Sequence, residues 1–332
     1  MKKKVICCGE TLFDIIAEKG KTRESVALHA YPGGSATNTA IILARLGMPA
    51  SLISHLGTGF MSAYMLEILK KQGVETKHIM RDRDFSTPLA FAHIDKKGNS
   101  SYLFYEKSVH PDKVKTHLSG PAFRSAAIFH TGSYFSYSDT FFRFVQEMLK
   151  FAKKNGAFIT YDPNWREAKI PKKRQARERI KKIFRSVDLL KLSDTDAMNV
   201  TGSRTLESAL KKIGRHLKGD LVLTLGEKGA FYWDGNERTA HPAFKVRVAD
   251  TIGAGDGFTA GLIYRYYTAG KEKFKREKRE NLEFASAVSA LICSGHGATG
   301  TLRSLRQVMR FLRSRGTNPA SHSSGPVMNH GL

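Results

Sequence analysis

Cysteine is scarce in this chain: Cys7, Cys8 and Cys293 are the only three among 332 residues. No CxxC pair occurs, and adjacent strand positions point to opposite faces, so Cys7 and Cys8 make a poor disulfide. That excludes a disulfide-stapled scaffold and a cysteine-built zinc site, and it leads to the expectation of a reducing, cytoplasmic setting. The twelve histidines show no HExxH and no grouping with cysteine at zinc spacing, which argues against tetrahedral zinc catalysis. Long apolar runs are also missing. None reaches membrane-spanning length, and Met1-Lys2-Lys3-Lys4 leads only into a short run at 5–8, whereas a secretory leader needs a longer apolar region and a cleavage site. A Walker A sequence is absent, which removes the P-loop kinases.

Acidic residues are few beside basic ones, 30 against 54, for a formal net charge of +24. Such a charge attracts nucleic acid, anionic surfaces or phosphate-bearing ligands. Much of it stands in helix-like runs at 169–185, 271–279 and 303–315, which read first as solvated helix faces. Aromatic residues do not interleave with these runs as single-strand binding requires, so nucleic acid is a secondary reading and no membrane partner is expected. The length and a hydrophobic content of 41% fit one large α/β domain with a smaller appendage, or two ordinary domains.

The stretch that organises the rest is a strand or extended segment at 246–249, then Asp250-Thr251-Ile252-Gly253-Ala254-Gly255-Asp256, then a helix whose apolar face carries Phe258, Leu262, Ile263 and Tyr266. Gly253, Ala254 and Gly255 leave backbone N–H groups bare where the helix begins, a place that attracts anions. Asp256 at the same point suits a general base acting on a hydroxyl that attacks a phosphoryl group, although an aspartate there is often only a cap.

Strand-like runs at 4–8, 48–56, 126–131, 157–161, 187–192 and 221–225 alternate with helix-like ones at 61–72, 139–154 and 172–184. Strands alternating with helices predict a mostly parallel sheet covered on both faces, with ligand groups along its carboxyl edge. Asp14 is expected just past the first strand. In Gly33-Gly34-Ser35-Ala36-Thr37-Asn38 the glycines admit close approach, Ser35 can cap the following helix, and Asn38 can pair with sugar hydroxyls. A hairpin at 89–106 buries little alone and must cover a cleft or a partner; a second is predicted around 234–236. The GxGxxG match at 295–300 lacks the strand-before, helix-after context of a dinucleotide site and is rejected. Residues 316–332, rich in Ser, Gly, Pro, Asn and His, read as a disordered tail.

Taken together, 33–38 and 250–256, in this order and with the hairpin between, resemble the ribokinase-like (PfkB) carbohydrate kinases from about residue 4 to 312. The resemblance implies a three-layer α/β/α domain over 1–315, with a small β lid from segments near 10–32 and 87–108. It also implies transfer of the ATP γ-phosphate to a sugar hydroxyl. Asp256 would then be the base, and the N–H groups of Gly253, Ala254 and Gly255 the anion hole. Asp14, Gly33, Gly34, Asn38 and Phe104 correspond to the sugar side, with Asn164 and Arg166 near the phosphate path. Ser193 and Asp196 stand where the family has Asn-x-x-Glu, so Asp196 would organise magnesium, mainly through water. Thr224, Gly226 and Gly229 match the nucleotide side, and Asp250 and Ile252 flank a potassium site in several members. The chain departs from the family's usual Gly-Asp pair after the second strand, having Gly57-Thr58-Gly59 instead.

Gly9 to Asp14 and Asp162-Pro163-Asn164-x-Arg166 resemble the fructokinase branch most, implying a fructose-type hexose. The rival is a 2-keto-3-deoxygluconate kinase, whose substrate carries a carboxylate. Glu106 after Tyr105 would repel that carboxylate, although Lys107 could compensate. Other sugar or nucleoside kinases, and a catalytically silent sugar- or nucleotide-binding regulator, remain the alternatives. The lid could also join two copies as a homodimer.

Overall fold

The computed structural model of the protein describes residues 3–17, 25–94, 100–106 and 120–316. The large sheet has nine strands: in spatial order β13 (Arg238–His241), β12 (Ala230–Trp233), β11 (Asp220–Thr224), β10 (Leu189–Ser193), β9 (Phe158–Asp162), β8 (Ala126–Gly132), β1 (Lys4–Cys8), β4 (Ala50–Gly57) and β5 (Ile79–Asp82). Strands β5 through β11 of that order run parallel, and β12 and β13 close one edge as the predicted antiparallel hairpin.

The parallel strands are apolar on both faces because both faces are covered. One face carries α3 (Ser133–Tyr137), α4 (Phe142–Lys154), α5 (Lys173–Phe184), α6 (Asp194–Thr201) and α7 (Leu206–Gly214). The other carries α1 (Ser35–Arg45), α2 (Phe60–Lys71), α8 (Ala254–Ala269), α9 (Lys271–Arg276), α10 (Lys278–Cys293) and α11 (Leu305–Ser314). Along β1, Val5 and Cys7 enter the second core while Ile6 and Cys8 enter the first, so the adjacent cysteines do face apart, and both are free thiols. The basic runs behave as solvated faces. In α5, Ala176, Ile180 and Phe184 are buried while Lys173 and Arg174 are exposed, and in α11 Val308 and Leu312 are buried while Arg306, Arg310 and Arg313 are exposed. Among the described residues no helix is long and apolar enough to cross a membrane.

A second, four-stranded sheet stands apart in the order β3 (Leu28–Gly33), β2 (Leu12–Ala17), β6 (Leu89–Ile94) and β7 (Ser100–Tyr105). The hairpin β6–β7 is therefore not alone: β2 pairs with it in parallel, giving the surface that two strands lack. The hairpin's turn, Lys107 and the tail beyond 316 lie outside the described residues. Three expectations need correction. Asp14 lies within β2, in register with Tyr31 and Ala90, and not in a loop after β1, because the chain turns at 9–11 straight into the second sheet. The helix expected at 139–154 begins only at Phe142, as α4, and a short helix not expected, α3, precedes it and ends at the extended backbone of Ser138. Residues 246–249 join no strand; the Ala249 N–H donates instead to the Cys293 carbonyl at 2.8 Å.

Helix α8 owes its position to close packing on α10. A Cβ on Gly261 would stand 2.6 Å from the Ala285 Cα, so only glycine lets the two backbones approach this far. Gly261→Val should lower the unfolding free energy by about 1–3 kcal/mol through overpacking, read as a reduced denaturation midpoint. An unchanged midpoint would show that the crossing relaxes freely.

Candidate active site

The carboxyl ends of β9, β10 and β11 bring Asp162, Ser193 and Thr224 to one edge of the sheet. The N-terminal ends of α1 and α8 meet close by, under the inner face of the small sheet. Asp14, Gly34, Asn38, Phe104, Asn164, Arg166, Ile252, Gly253 and Asp256 line one cleft there. Residues from five separate stretches of sequence thus converge.

Two glycines are demanded by geometry. Gly34, the residue before α1, has φ of 96°, and a Cβ there would collide with the Glu10 carbonyl oxygen. Gly253, the N-cap of α8, has φ of 78°, and a Cβ there would collide with the Ala298 carbonyl oxygen. Gly33 serves by close approach: a Cβ would meet the Asp14 carboxylate. The Ala254 N–H donates to the Thr251 carbonyl at 3.2 Å, so it is spent on the turn. Gly253 and Gly255 keep N–H groups that the helix itself cannot pair.

Asp256, in the first turn of α8, is only 5% exposed. Its Oδ1 accepts the Ser35 hydroxyl at 2.6 Å, and its Oδ2 accepts the Asn38 Nδ2 at 2.8 Å. Ser35 therefore does not cap α1. Gly34 occupies the N-cap position without a side-chain bond, and the Ser35 hydroxyl turns to the carboxylate of another helix. Asn38 spends its amide nitrogen the same way, leaving its buried Oδ1 without a hydrogen-bond partner. Burial raises the Asp256 pKa to about 6, partly offset by the Ser35 and Asn38 bonds and by Arg166, and reinforced by Asp162. Burial likewise raises Asp14 to about 7, against the pull of Arg166 and with Asp256, Asp250 and Glu10 adding to the rise. Carboxylates held in this range exchange protons near neutral pH.

Cations balance these acids. Arg166 lies 5.3 Å over the Tyr102 ring. Lys169 bonds to the Glu106 carboxylate at 2.7 Å and stands 3.9 Å over the Tyr134 ring and 4.8 Å over Phe104. Behind the glycine turn, the Lys191 ammonium bonds to Asp162 at 2.9 Å, and a Cβ on Gly255 would stand 2.9 Å from the same nitrogen. The sequence reading gave Ser35 only as a cap, placed Lys169 in a basic run read as a solvated face, and did not single out Tyr102 or Lys191. A polar side chain beside a glycine pair and a lysine inside an apolar strand run were the available signals.

The remaining candidates lie beside the cleft. Ser193 caps α6 by accepting the Asp196 N–H at 3.0 Å, and Asp196 is raised in pKa by burial and by Asp162. The Thr224 hydroxyl donates to the Leu192 carbonyl at 3.3 Å. Gly226 and Gly229 bracket the turn after β11, where a Cβ on Gly229 would collide with the His241 carbonyl oxygen. Asp250 is fully buried, accepting the Ile252 N–H at 3.0 Å and the Gly297 N–H at 2.9 Å, which gives the 295–300 glycines a structural task. Among the described residues no three His, Cys, Asp or Glu side chains converge as a metal site.

Residues 2–305 match the pfkB family carbohydrate kinases. Fructokinase-1 of Oryza sativa subsp. japonica is 31% identical over 316 residues, spanning 93% of this chain and 98% of that protein. A fructokinase with bound ATP from Xylella fastidiosa shares the fold at a TM-score of 0.83 and 24% identity, covering 95% of this chain and all 100% of that one. The fructokinase from Vibrio cholerae O395, in a fructose-, ADP- and calcium-bound form, does so at 0.82 and 23%, covering 93% and 99%. The chain belongs to the pfkB family of carbohydrate kinases and is a sugar kinase.

Proposed function

We propose that this kinase transfers the γ-phosphoryl group of ATP to a hydroxyl of a fructose-type hexose, with Asp256 as the general base. The observation that carries the proposal is the Asp256 carboxylate, buried at the start of α8 and fixed on both oxygens beside Asp14 and the unpartnered Asn38 Oδ1. In this reading Asp14 and the Asn38 Oδ1 accept hydroxyl protons of the sugar, while Gly33 and Gly34 let it approach the backbone. The reacting hydroxyl gives its proton to Asp256, its oxygen bonds to the γ-phosphorus, and the bond to the bridging oxygen breaks to release ADP. The N–H groups of Gly253 and Gly255, with Arg166 and Asn164 near the phosphate path, hold the charge that spreads over the transferring group.

Ser193, Asp196, Thr224, Gly226 and Gly229 mark the side on which ATP lies. A magnesium ion there would neutralise phosphate charge, with Asp196 reaching it through water, in keeping with an ion that keeps much of its hydration. We extend the reading to potassium beside the Asp250–Ile252 turn; equal rates with and without potassium would remove it. Free Cys7 and Cys8 suit a cytoplasmic protein. The outer face of the lid exposes Leu28, Leu103 and Tyr105, at 52%, 59% and 57%, which suits a homodimer; light scattering at monomer mass would refute that.

Fructose is favoured over 2-keto-3-deoxygluconate by charge as well as by the relatives. Glu106 already neutralises Lys169 at the cleft, and Asp14, Glu10 and Asp256 would oppose a substrate carboxylate.

Asp256→Asn should lower kcat by about 100-fold or more while leaving the ATP KM nearly unchanged. Near-normal turnover would assign the base elsewhere. The pH profile follows from sign. The base works ionised, so kcat/KM should fall as pH drops through about 6, the value to which burial raises Asp256. Stability from this group runs the other way: a raised folded pKa contributes below the ordinary carboxylate value and is lost as pH rises through about 6. Activity that stays flat from pH 7 to 5 would contradict the assignment.

A further inference from the structure

Ser35 sits at the first position of α1 and is 5% exposed, yet it leaves the helix end uncapped. Its hydroxyl instead crosses to α8 and donates to the Asp256 Oδ1 at 2.6 Å, a length typical of a hydroxyl bound to an ionised carboxylate. Asn38 lies three residues on, so both side chains leave the same face of α1 and grip one carboxylate oxygen each. With both oxygens tethered, the carboxylate plane has one orientation, and the lone pairs not used by Ser35 and Asn38 are those left for an incoming hydroxyl.

We propose that Ser35 is a positioning residue for catalysis: its hydroxyl aims the Asp256 carboxylate and keeps it ionised in a site from which water is largely excluded. The proposal rests on the assignment of Asp256 as the base and adds a residue that acts through it.

The electrostatic surroundings make the two tasks inseparable. Asp162 at the end of β9 and Asp14 on β2 oppose a negative Asp256, whereas Arg166 after β9 and Lys191 on β10 favour it. Burial is the largest influence and disfavours the ion, and the Ser35 hydrogen bond is the leading influence that restores it. Removing the hydroxyl changes none of the surrounding charges, so any displacement of the titration belongs to the lost bond.

The test is the pH dependence of kcat/KM for the sugar, together with kcat and both KM values, in Ser35→Ala, Ser35→Thr and Asp256→Asn. Ser35→Ala should move the acid limb upward by about one pH unit, the size expected for losing one hydrogen bond to a charged group. Its kcat should fall while the ATP KM holds, and Ser35→Thr, which keeps a hydroxyl, should return the limb toward its original place. An acid limb left in place in a folded Ser35→Ala enzyme would overturn the proposal. So would a loss confined to the sugar KM, which would make Ser35 a substrate contact. Asp256→Asn separates the two levels. Full turnover in that variant would refute the base itself, whereas its inactivity with an unmoved Ser35→Ala limb would refute only the part given to Ser35.

Discussion

A carboxylate buried where two helices begin is the constraint around which this molecule is arranged. Burial raises the Asp256 pKa to about 6, and Ser35, Asn38 and Arg166 offset part of the cost of removing its charge from water. Ser35 and Asn38 come from α1 and Arg166 from the segment after β9, so these surroundings of the carboxylate exist only when the fold is complete. The α8–α10 crossing sets where Asp256 stands, the Gly33-Gly34 turn lets α1 start beneath it, and the carboxyl end of β9 delivers Arg166.

The small sheet adds a second condition. Strand β2 contributes Asp14 to the cleft and sends Phe13 and Ile15 into the main core, so an inner strand of the lid is anchored. Strand β7 reaches the body through side chains instead, with Tyr102 under Arg166 and Phe104 under Lys169, which Glu106 also binds. Contacts between aromatic faces and cations are individually worth about 0.5–2 kcal/mol, so β7 is held to the body by a few modest contacts.

Much of this was legible from residue order. The 3.6-residue spacing after Gly255, the alternation of strands and helices, and the paired glycines at 33–34 marked the fold class and the organising turn, whereas Phe104, Asn164 and Arg166 were reached only through the resemblance to the PfkB kinases. What escaped depended on contacts between distant segments. Ser35 looked like a cap because cap residues and helix-start residues are the same types, and only the approach of α8, 221 residues away, redirects its hydroxyl. Lys191 was not singled out within the strand-like run at 187–192, where its strand position buries it against Asp162. Asp14 fell on the far side of a turn whose length periodicity does not report. The basic excess was read correctly as solvated helix faces because α5 and α11 keep their apolar residues at helical spacing.

The most direct test of the account is ADP release with Mg-ATP across fructose, 2-keto-3-deoxygluconate, ribose, tagatose and adenosine. The charge balance of the cleft predicts fructose as the fastest acceptor, with 2-keto-3-deoxygluconate well behind it. Equal turnover of fructose and the acidic sugar, or a clear preference for the acid, would contradict the reading of Lys169, Glu106 and Asp14.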